Sequence, residues 1–304
     1  MSSRLDTEIA GLKLKNPTML AAGILGLSGA FLRKIAEAGA GAVVAKSVGL
    51  KPRMGYPNPT AVQVDCGLLN AMGLPSPGIH NFGEEIKEAK KGGVPVIVSI
   101  FGFSPDDFAE VARVAVEEGA DALELNVSCP HVEKTGSEIG QSPSLVAEVV
   151  EEVKNRVDKP VFVKLTPNVA DIIKVAEAAV KAGADAMTAI NTVRAMAIDV
   201  NTTRPILANK IGGLSGQAIK PIAVRCVYEI YRRVDVPVVG CGGIITWQDA
   251  VEFMLAGASA VQVGTAVAFE GLDVFRYIAE GIDSYLERMG FGSVKEIVGL
   301  SHQH

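Results

Sequence analysis

The sequence predicts an α/β fold, a single (β/α)8 (TIM) barrel domain over residues 1–304 with extended βα loops above its C-terminal mouth. Two recurring patterns and one missing motif lead there. In the first pattern a helix-like run ends in Gly and leads into an apolar strand: Ala38-Gly39-Ala40-Gly41-Ala42-Val43-Val44, Glu118-Gly119-Ala120-Asp121-Ala122-Leu123, Ala182-Gly183-Ala184-Asp185-Ala186-Met187 and Ala256-Gly257-Ala258-Ser259-Ala260-Val261. Gly suits the left-handed residue that ends a helix. In the second, Pro precedes a β-branched run, as in Pro95-Val96-Ile97-Val98, Pro160-Val161-Phe162-Val163 and Pro237-Val238-Val239, and a strand tolerates Pro at its first residue. The missing motif is a G-x-G-x-x-G turn after an early strand, which a doubly wound sheet would favour. The nearest cluster, Gly240-Cys241-Gly242-Gly243, comes late and has a different spacing.

In chain order, strands are expected near 18–22, 41–46, 94–100, 121–126, 160–165, 185–190, 236–240 and 259–263, most followed by an amphipathic helical stretch. Eight such units close a barrel. Three connections exceed simple βα loops: Ser47 to Gly93, rich in Pro and Gly; Ser128 to Gln141, which holds a cysteine; and Thr192 to Gln217, expected to form a hairpin through Asn201-Thr202-Thr203. All three leave the C-terminal ends of strands, where barrel enzymes build their sites.

With 48% hydrophobic residues, 21% charged residues and a net charge of −5, the chain can fill a large core and has no global basic character to attract nucleic acid. A small-molecule partner is expected instead. Cys66, Cys129, Cys226 and Cys241 are widely spaced with no C-x-x-C pair, so neither a disulfide framework nor a zinc site is indicated, and a reducing cytoplasm fits. His302 and His304 lack a third ligand nearby and His80 opens a helical run, so no metal site is assigned. Met1 to Lys15 has no apolar signal region and no run of about eighteen apolar residues occurs, which speaks against secretion and membrane spanning.

The strand ends are polar or small: Ala22-Gly23, Lys46-Ser47, Ser99, Asn126, Lys164, Asn191-Thr192, Gly242-Gly243 and Gly264-Thr265. In a barrel they converge on one mouth. Gly242-Gly243 after the seventh strand and Gly264-Thr265 after the eighth sit where barrels bind phosphate; tight turn geometry is the alternative for each pair. Lys164 ends an apolar strand and can stabilise an anion in the mouth or snorkel to solvent. Lys46 is open in the same way and could also pair with a carboxylate. Cys129, in Asn126-Val127-Ser128-Cys129-Pro130, follows a strand in a polar loop, where a thiolate could serve as nucleophile or general base; spacing does not choose.

Taken together, Lys46-Ser47, Asn70-Ala71-Met72-Gly73-Leu74-Pro75, Asn126-Val127-Ser128-Cys129-Pro130, Lys164-Leu165-Thr166-Pro167-Asn168, Ile190-Asn191-Thr192, Gly212-Gly213-Leu214-Ser215-Gly216 and Gly242-Gly243-Ile244 resemble the dihydroorotate dehydrogenase family over nearly the whole chain. The resemblance implies an FMN across the mouth, its phosphate near Gly242, Gly243, Gly264 and Thr265, lined by Ala22, Gly23, Lys46, Ser47, Asn126, Lys164, Ile190 and Gly216. It implies dihydroorotate bound by Lys46, Asn70, Ala71, Met72, Gly73, Leu74, Asn126, Asn191 and Thr192, with Cys129 as the catalytic base at C5, FMN as hydride acceptor from C6, and Lys164 stabilising the reduced ring.

Quinone-linked members carry serine as base and a membrane-associated extension, whereas this chain has Cys129. The stretch Ala208-Asn209-Lys210-Ile211-Gly212-Gly213-Leu214-Ser215-Gly216 is most similar to the NAD-linked class. That likeness implies a partner subunit carrying FAD and [2Fe–2S], in a heterotetramer built on a homodimer of this chain. Ser99 stands where many members have asparagine beside the flavin. His131 stands where many have asparagine near the substrate, and Ser-Cys-Pro-His is also the pattern of the pyrimidine-reducing domain of dihydropyrimidine dehydrogenase. Uracil reduction and a fumarate-linked single-subunit enzyme are the alternative readings.

Overall fold

The computed structural model describes residues 3–128 and 139–303. Cys129, Pro130 and His131 lie outside the described residues. Eight strands, β1 (Thr18–Leu20), β2 (Ala42–Val48), β3 (Val96–Ile100), β4 (Ala122–Asn126), β5 (Val161–Leu165), β6 (Ala186–Ala189), β7 (Val238–Cys241) and β8 (Ala258–Val263), pair in chain order, and β8 pairs in parallel with β1 to close a barrel. All eight fall within a few residues of the expected positions.

Helices α1 (Gly29–Glu37), α2 (Gly83–Lys90), α3 (Pro105–Glu117), α4 (Pro143–Lys154), α5 (Ile172–Lys181), α6 (Lys220–Tyr231) and α7 (Trp247–Leu255) follow the first seven strands; α8 (Ala266–Glu270) and α9 (Val274–Met289) follow the last. Their starts are chemically specified. Ser104 and Ser142 accept from the backbone N–H three residues on, each with Pro next in line, and Asp171 accepts from Ile173 and Lys174. Thr246 and Asp249 form a capping box at α7. At their ends, Gly39, Gly119, Gly183 and Gly257 all take positive φ, from 100° to 120°, as the recurring Gly pattern requires.

Strand periodicity sorts the core. One face of the strands, with Val43, Val98, Leu123, Val163, Met187 and Val261, packs on the helices. The other face fills the barrel with Met19, Val44, Ile97, Ala122, Phe162, Ala186, Val239 and Ala260. Beneath them a hairpin of two strands, Thr7–Ile9 and Leu12–Leu14, contributes Ile9 and Leu14 to the same cluster. The sequence reading did not foresee this hairpin.

The connections after β2 and β6 carry strands of their own. Val193–Met196, Ile211–Ser215, Gly67–Asn70 and Ala61–Val64 form one antiparallel sheet in that order. The expected hairpin around Asn201-Thr202-Thr203 is present, Ile198–Asp199 pairing antiparallel with Arg204–Pro205. Among the described residues no helix is long and apolar enough to cross a membrane.

Candidate active site

Inside a barrel, a residue two positions further along a strand points the same way. Moving two residues toward the C-terminal end from the apolar layer therefore gives the next interior layer, and it is polar. Val44 is followed by Lys46, Ile97 by Ser99, Ala122 by Glu124, Phe162 by Lys164, Ala186 by Thr188, Val239 by Cys241 and Ala260 by Gln262. Ser99, Glu124, Lys164, Thr188 and Gln262 are buried, and the last four meet across the barrel. Gln262 Nε2 donates to Glu124 Oε2 (2.5 Å), Thr188 Oγ1 donates to the same oxygen (3.0 Å), and Lys164 Nζ donates to Gln262 Oε1 (2.9 Å). Lys164 Nζ also stands 3.6 Å from Glu124 Oε1.

Above this layer a string of hydrogen bonds crosses the mouth. Ser99 and Ser47 share a hydroxyl contact of 2.9 Å; Asn126 Nδ2 donates to Ser47 Oγ (3.1 Å) and Asn191 Nδ2 to Asn126 Oδ1 (3.3 Å). Asn191 Oδ1 accepts from the Thr192 N–H (2.8 Å), and Asn168 Nδ2 donates to the Thr192 carbonyl (3.0 Å). Asparagine amides held at both ends present fixed edges to a heterocycle. Ser99 is tied into this string by its hydroxyl.

The four-stranded antiparallel sheet borders the same region. Asn70 pairs in register with Gly213 and donates its side-chain amide to the Gly213 carbonyl (3.2 Å). A Cβ at Gly213 would collide with Thr192 Oγ1, so the strand carrying Gly213 lies against Thr192 and separates the segment that follows it from the strand carrying Asn70. Ala71, Met72, Gly73 and Leu74 continue from Asn70, all half-buried.

At the other rim, Gly216, Gly242 and Gly243 have φ of 99°, 133° and 78°. A Cβ at Gly243 would stand 2.9 Å from the Gly216 carbonyl oxygen and 3.0 Å from the Lys220 backbone nitrogen at the start of α6. Only Gly allows this approach. Thr265 Oγ1 donates to Ser215 Oγ (2.8 Å), joining the loop after β8 to the Gly-rich strand. Gly264 and Thr265 are half-buried, Ala22 and Ile190 are buried near the same rim, and Gly23 is exposed. The cradle of bare backbone, the polar ring and the buried lysine fit a phosphate-bearing aromatic cofactor.

Charge in the mouth is uneven. Burial pushes the Lys46 ammonium below the ordinary lysine range, and Lys164 pushes the same way. Among the described residues no acceptor pairs with Lys46. Burial also opposes charge on Lys164, but Cys241 and Glu124 outweigh it and its pKa stands above the ordinary value. Burial pushes the Cys241 thiol up despite Lys164, so at neutral pH the thiol is neutral and the attraction on Lys164 comes from Glu124. Among the described residues no group of three His, Cys, Asp or Glu could hold a metal.

The structure links Ser47, Asn126, Asn191 and Thr192 in one hydrogen-bonded string, seats Asn70 against Gly213, which packs on Thr192, and brings Gly216 against Gly243. Ala22, Gly23, Lys46, Lys164, Ile190, Gly242, Gly264 and Thr265 stand at or just beyond the C-terminal ends of barrel strands, and Ala71 to Leu74 follow Asn70 out of the sheet. Cys129 is outside the described residues; Ser128 before it is anchored by its N–H to Asn126 Oδ1 (3.3 Å). Sequence reasoning missed Glu124, Thr188 and Gln262. The signal was there: a Glu within Ala122-Leu123-Glu124-Leu125 and a Gln within Ala260-Val261-Gln262-Val263, both on the interior face by period two.

A family model described as "Dihydroorotate dehydrogenase" matches residues 4–286. The chain is 56% identical over 297 residues to a Pyrococcus abyssi protein, covering 98% of this chain and 99% of that one. It is 54% identical over 297 residues to a Methanosarcina acetivorans protein (97% and 95%) and 52% identical over 300 residues to one from Methanothermobacter thermautotrophicus (98% and 98%). All three relatives are named "Dihydroorotate dehydrogenase B (NAD(+)), catalytic subunit".

Proposed function

Because the chain belongs to the dihydroorotate dehydrogenase family, we propose that it oxidises (S)-dihydroorotate to orotate in pyrimidine biosynthesis, as the FMN-bearing catalytic subunit of the NAD-linked, two-subunit class. The observation that carries the substrate assignment is Lys46. A half-buried ammonium with a lowered pKa and no acceptor among the described residues fits the substrate carboxylate that dihydroorotate has and dihydrouracil lacks.

The residues divide the work. Lys46 holds the carboxylate. Asn126 and Asn191, each fixed by a neighbour, donate to and accept from the edges of the pyrimidine ring, and Asn70 with Ala71, Met72, Gly73 and Leu74 closes the side nearest the sheet. Cys129, as thiolate, takes the C5 proton; the electron pair left behind forms the C5–C6 double bond as C6 loses hydride. FMN, when bound, supplies the acceptor for that hydride. Gly216, Gly242, Gly243, Gly264 and Thr265 receive its phosphate with backbone donors, and Ala22, Ser47, Asn126 and Ile190 line its ring. Lys164 lends the mouth a permanent positive charge.

On this reading the electrons leave through a partner subunit with FAD and [2Fe–2S], in keeping with the word "subunit" in the relatives' names. The purified chain should be yellow and should reduce an artificial acceptor with dihydroorotate, and addition of the partner should confer NAD+ reduction. A protein that cannot be reconstituted with FMN, or that oxidises dihydrouracil and not dihydroorotate, overturns the assignment. Fumarate reduction by the chain alone would place it in the single-subunit class.

A further inference from the structure

We propose that Glu124 is a positioning residue that fixes the Lys164 ammonium, charged and pointed toward the mouth, for the flavin of the reaction above; the inference rests on that reading. Glu124 has 0% exposure, one layer below the mouth. Its two oxygens are used differently. Oε2 accepts from Gln262 (2.5 Å) and Thr188 (3.0 Å), which hold the carboxylate rigidly from β8 and β6. Among the described residues Oε1 has no hydrogen-bond partner; it faces Lys164 Nζ at 3.6 Å. Gln262 clamps the pair, its amide nitrogen on Glu124 and its amide oxygen on Lys164.

Packing alone does not account for this arrangement. A buried ion pair is often no more stable than well-packed apolar residues of the same volume, and the layer beneath shows that this barrel fills itself with Ala, Val, Ile and Phe. Here four strands each give up an apolar position at one level. What they obtain is one cation whose location and protonation are both fixed.

The groups facing Lys164 identify which one sets its charge. They are Glu124 from β4, Thr188 from β6, Cys241 from β7, Gln262 from β8 and Lys46 from β2. Thr188 and Gln262 are uncharged, burial keeps Cys241 a thiol at neutral pH, and Lys46 is a second cation that opposes protonation of Lys164. At neutral pH Glu124 is therefore the counter-charge, and Cys241 adds to it only once its thiol ionises at alkaline pH. Without Glu124, a buried and a half-buried cation share one mouth.

The test compares wild type with Glu124→Gln in two measurements. First, the titration of Lys164 is followed by NMR of 13Cε-labelled lysine, assigned with Lys164→Met, on the protein without flavin. The expected result is a fall of about one pH unit or more in the variant, a tenfold change in the protonation equilibrium. Second, sulfite is titrated into the FMN-loaded proteins, because its adduct leaves negative charge on the ring and its affinity reports positive charge nearby. The ratio of variant to wild-type affinity should fall about tenfold per pH unit above the lowered lysine pKa.

An unchanged Lys164 titration, or a ratio independent of pH while FMN is bound, overturns the proposal. Glu124→Asp keeps the charge but withdraws it by one methylene, so both readouts should lie between those of wild type and Glu124→Gln. Should Glu124→Gln not fold, Glu124→Asp alone decides, and an unshifted lysine refutes the role. A wild-type chain that binds no FMN would overturn the functional reading, and the flavin-free lysine titration would still judge Glu124.

Discussion

Replacing Lys46 with Met keeps an unbranched side chain, one atom shorter, and removes its charge. In the free protein Lys46 carries its proton at a disadvantage, because burial and the Lys164 cation both disfavour it. A substrate carboxylate reverses that disadvantage. A charge-assisted hydrogen bond in such a setting is worth about 1.5–3 kcal/mol, which corresponds to roughly a 10- to 150-fold rise in KM or Kd for dihydroorotate. Methionine relieves the lysine–lysine repulsion, so the fold itself should lose nothing. The pH dependence follows from the direction of the shift. As pH rises through the lowered Lys46 pKa the free protein loses the ammonium, so kcat/KM for dihydroorotate should drop on the alkaline side below the ordinary lysine range, and Lys46→Met should lack that limb. The assay is steady-state dye reduction across pH, with orotate binding followed by the change in the flavin absorbance spectrum. An uncharged dihydropyrimidine gives the control, since its weak binding should be insensitive to the substitution. If Lys46→Met leaves the dihydroorotate KM within twofold of wild type, or weakens charged and uncharged ligands alike, the carboxylate contact is refuted.

Cys129→Ala should slow flavin reduction by dihydroorotate about 10²–10⁴-fold at neutral pH with flavin content unchanged; anaerobic stopped-flow bleaching reads it, and an unaffected rate would show that the thiol is not the base. Gly243→Ala forces a side chain into a φ of 78° within 2.9 Å of the Gly216 carbonyl oxygen. Strain of about 1–3 kcal/mol predicts FMN affinity lower by tenfold or more, measured by fluorescence of released flavin, and undiminished retention would exclude the cradle as the phosphate site. Asp249 is pushed up by burial, but Lys220 at 2.7 Å and the N–H groups of Thr246 and Ile245 outweigh this and hold its carboxyl below the usual range. A lowered folded-state pKa stabilises the protein fully above the unfolded carboxylate value and is lost as pH falls through the folded value. The stability gap between wild type and Asp249→Asn in urea should therefore close as pH falls below about 4; a gap constant with pH contradicts the argument.

The barrel was legible because its punctuation is local. Gly39, Gly119, Gly183 and Gly257 each mark a helix end by a conformation that other residues resist and lead into an apolar strand, and Pro95, Pro160 and Pro237 open three more. The Thr7–Ile9 and Leu12–Leu14 hairpin was equally local and passed unnoticed: Thr7-Glu8-Ile9-Ala10-Gly11-Leu12-Lys13-Leu14 alternates and turns at Ala10-Gly11, both at positive φ. The sheet beside the mouth was not legible, because Gly67–Asn70 and Ile211–Ser215 meet through a pairing that neither segment signals alone. In the site, Lys46, Asn126 and Lys164 stood out as polar endings of apolar strands. Glu124 and Gln262 did not, since their meaning lies in facing each other across the closed barrel, at a sequence separation of 138.

That sheet constrains how specificity can be redesigned. Asn70 and Gly213 are 143 positions apart, yet they share one strand register, and Ala61–Val64 hangs on the outer edge of the same ladder. A graft of the segment after β2 from a relative would import half a ladder and set Leu68, Leu69 and Asn70 positions against partners that evolved for other neighbours. Recombining substrate preference between members of the family will therefore mean transplanting both segments as a matched pair, with the strand register as the unit of inheritance.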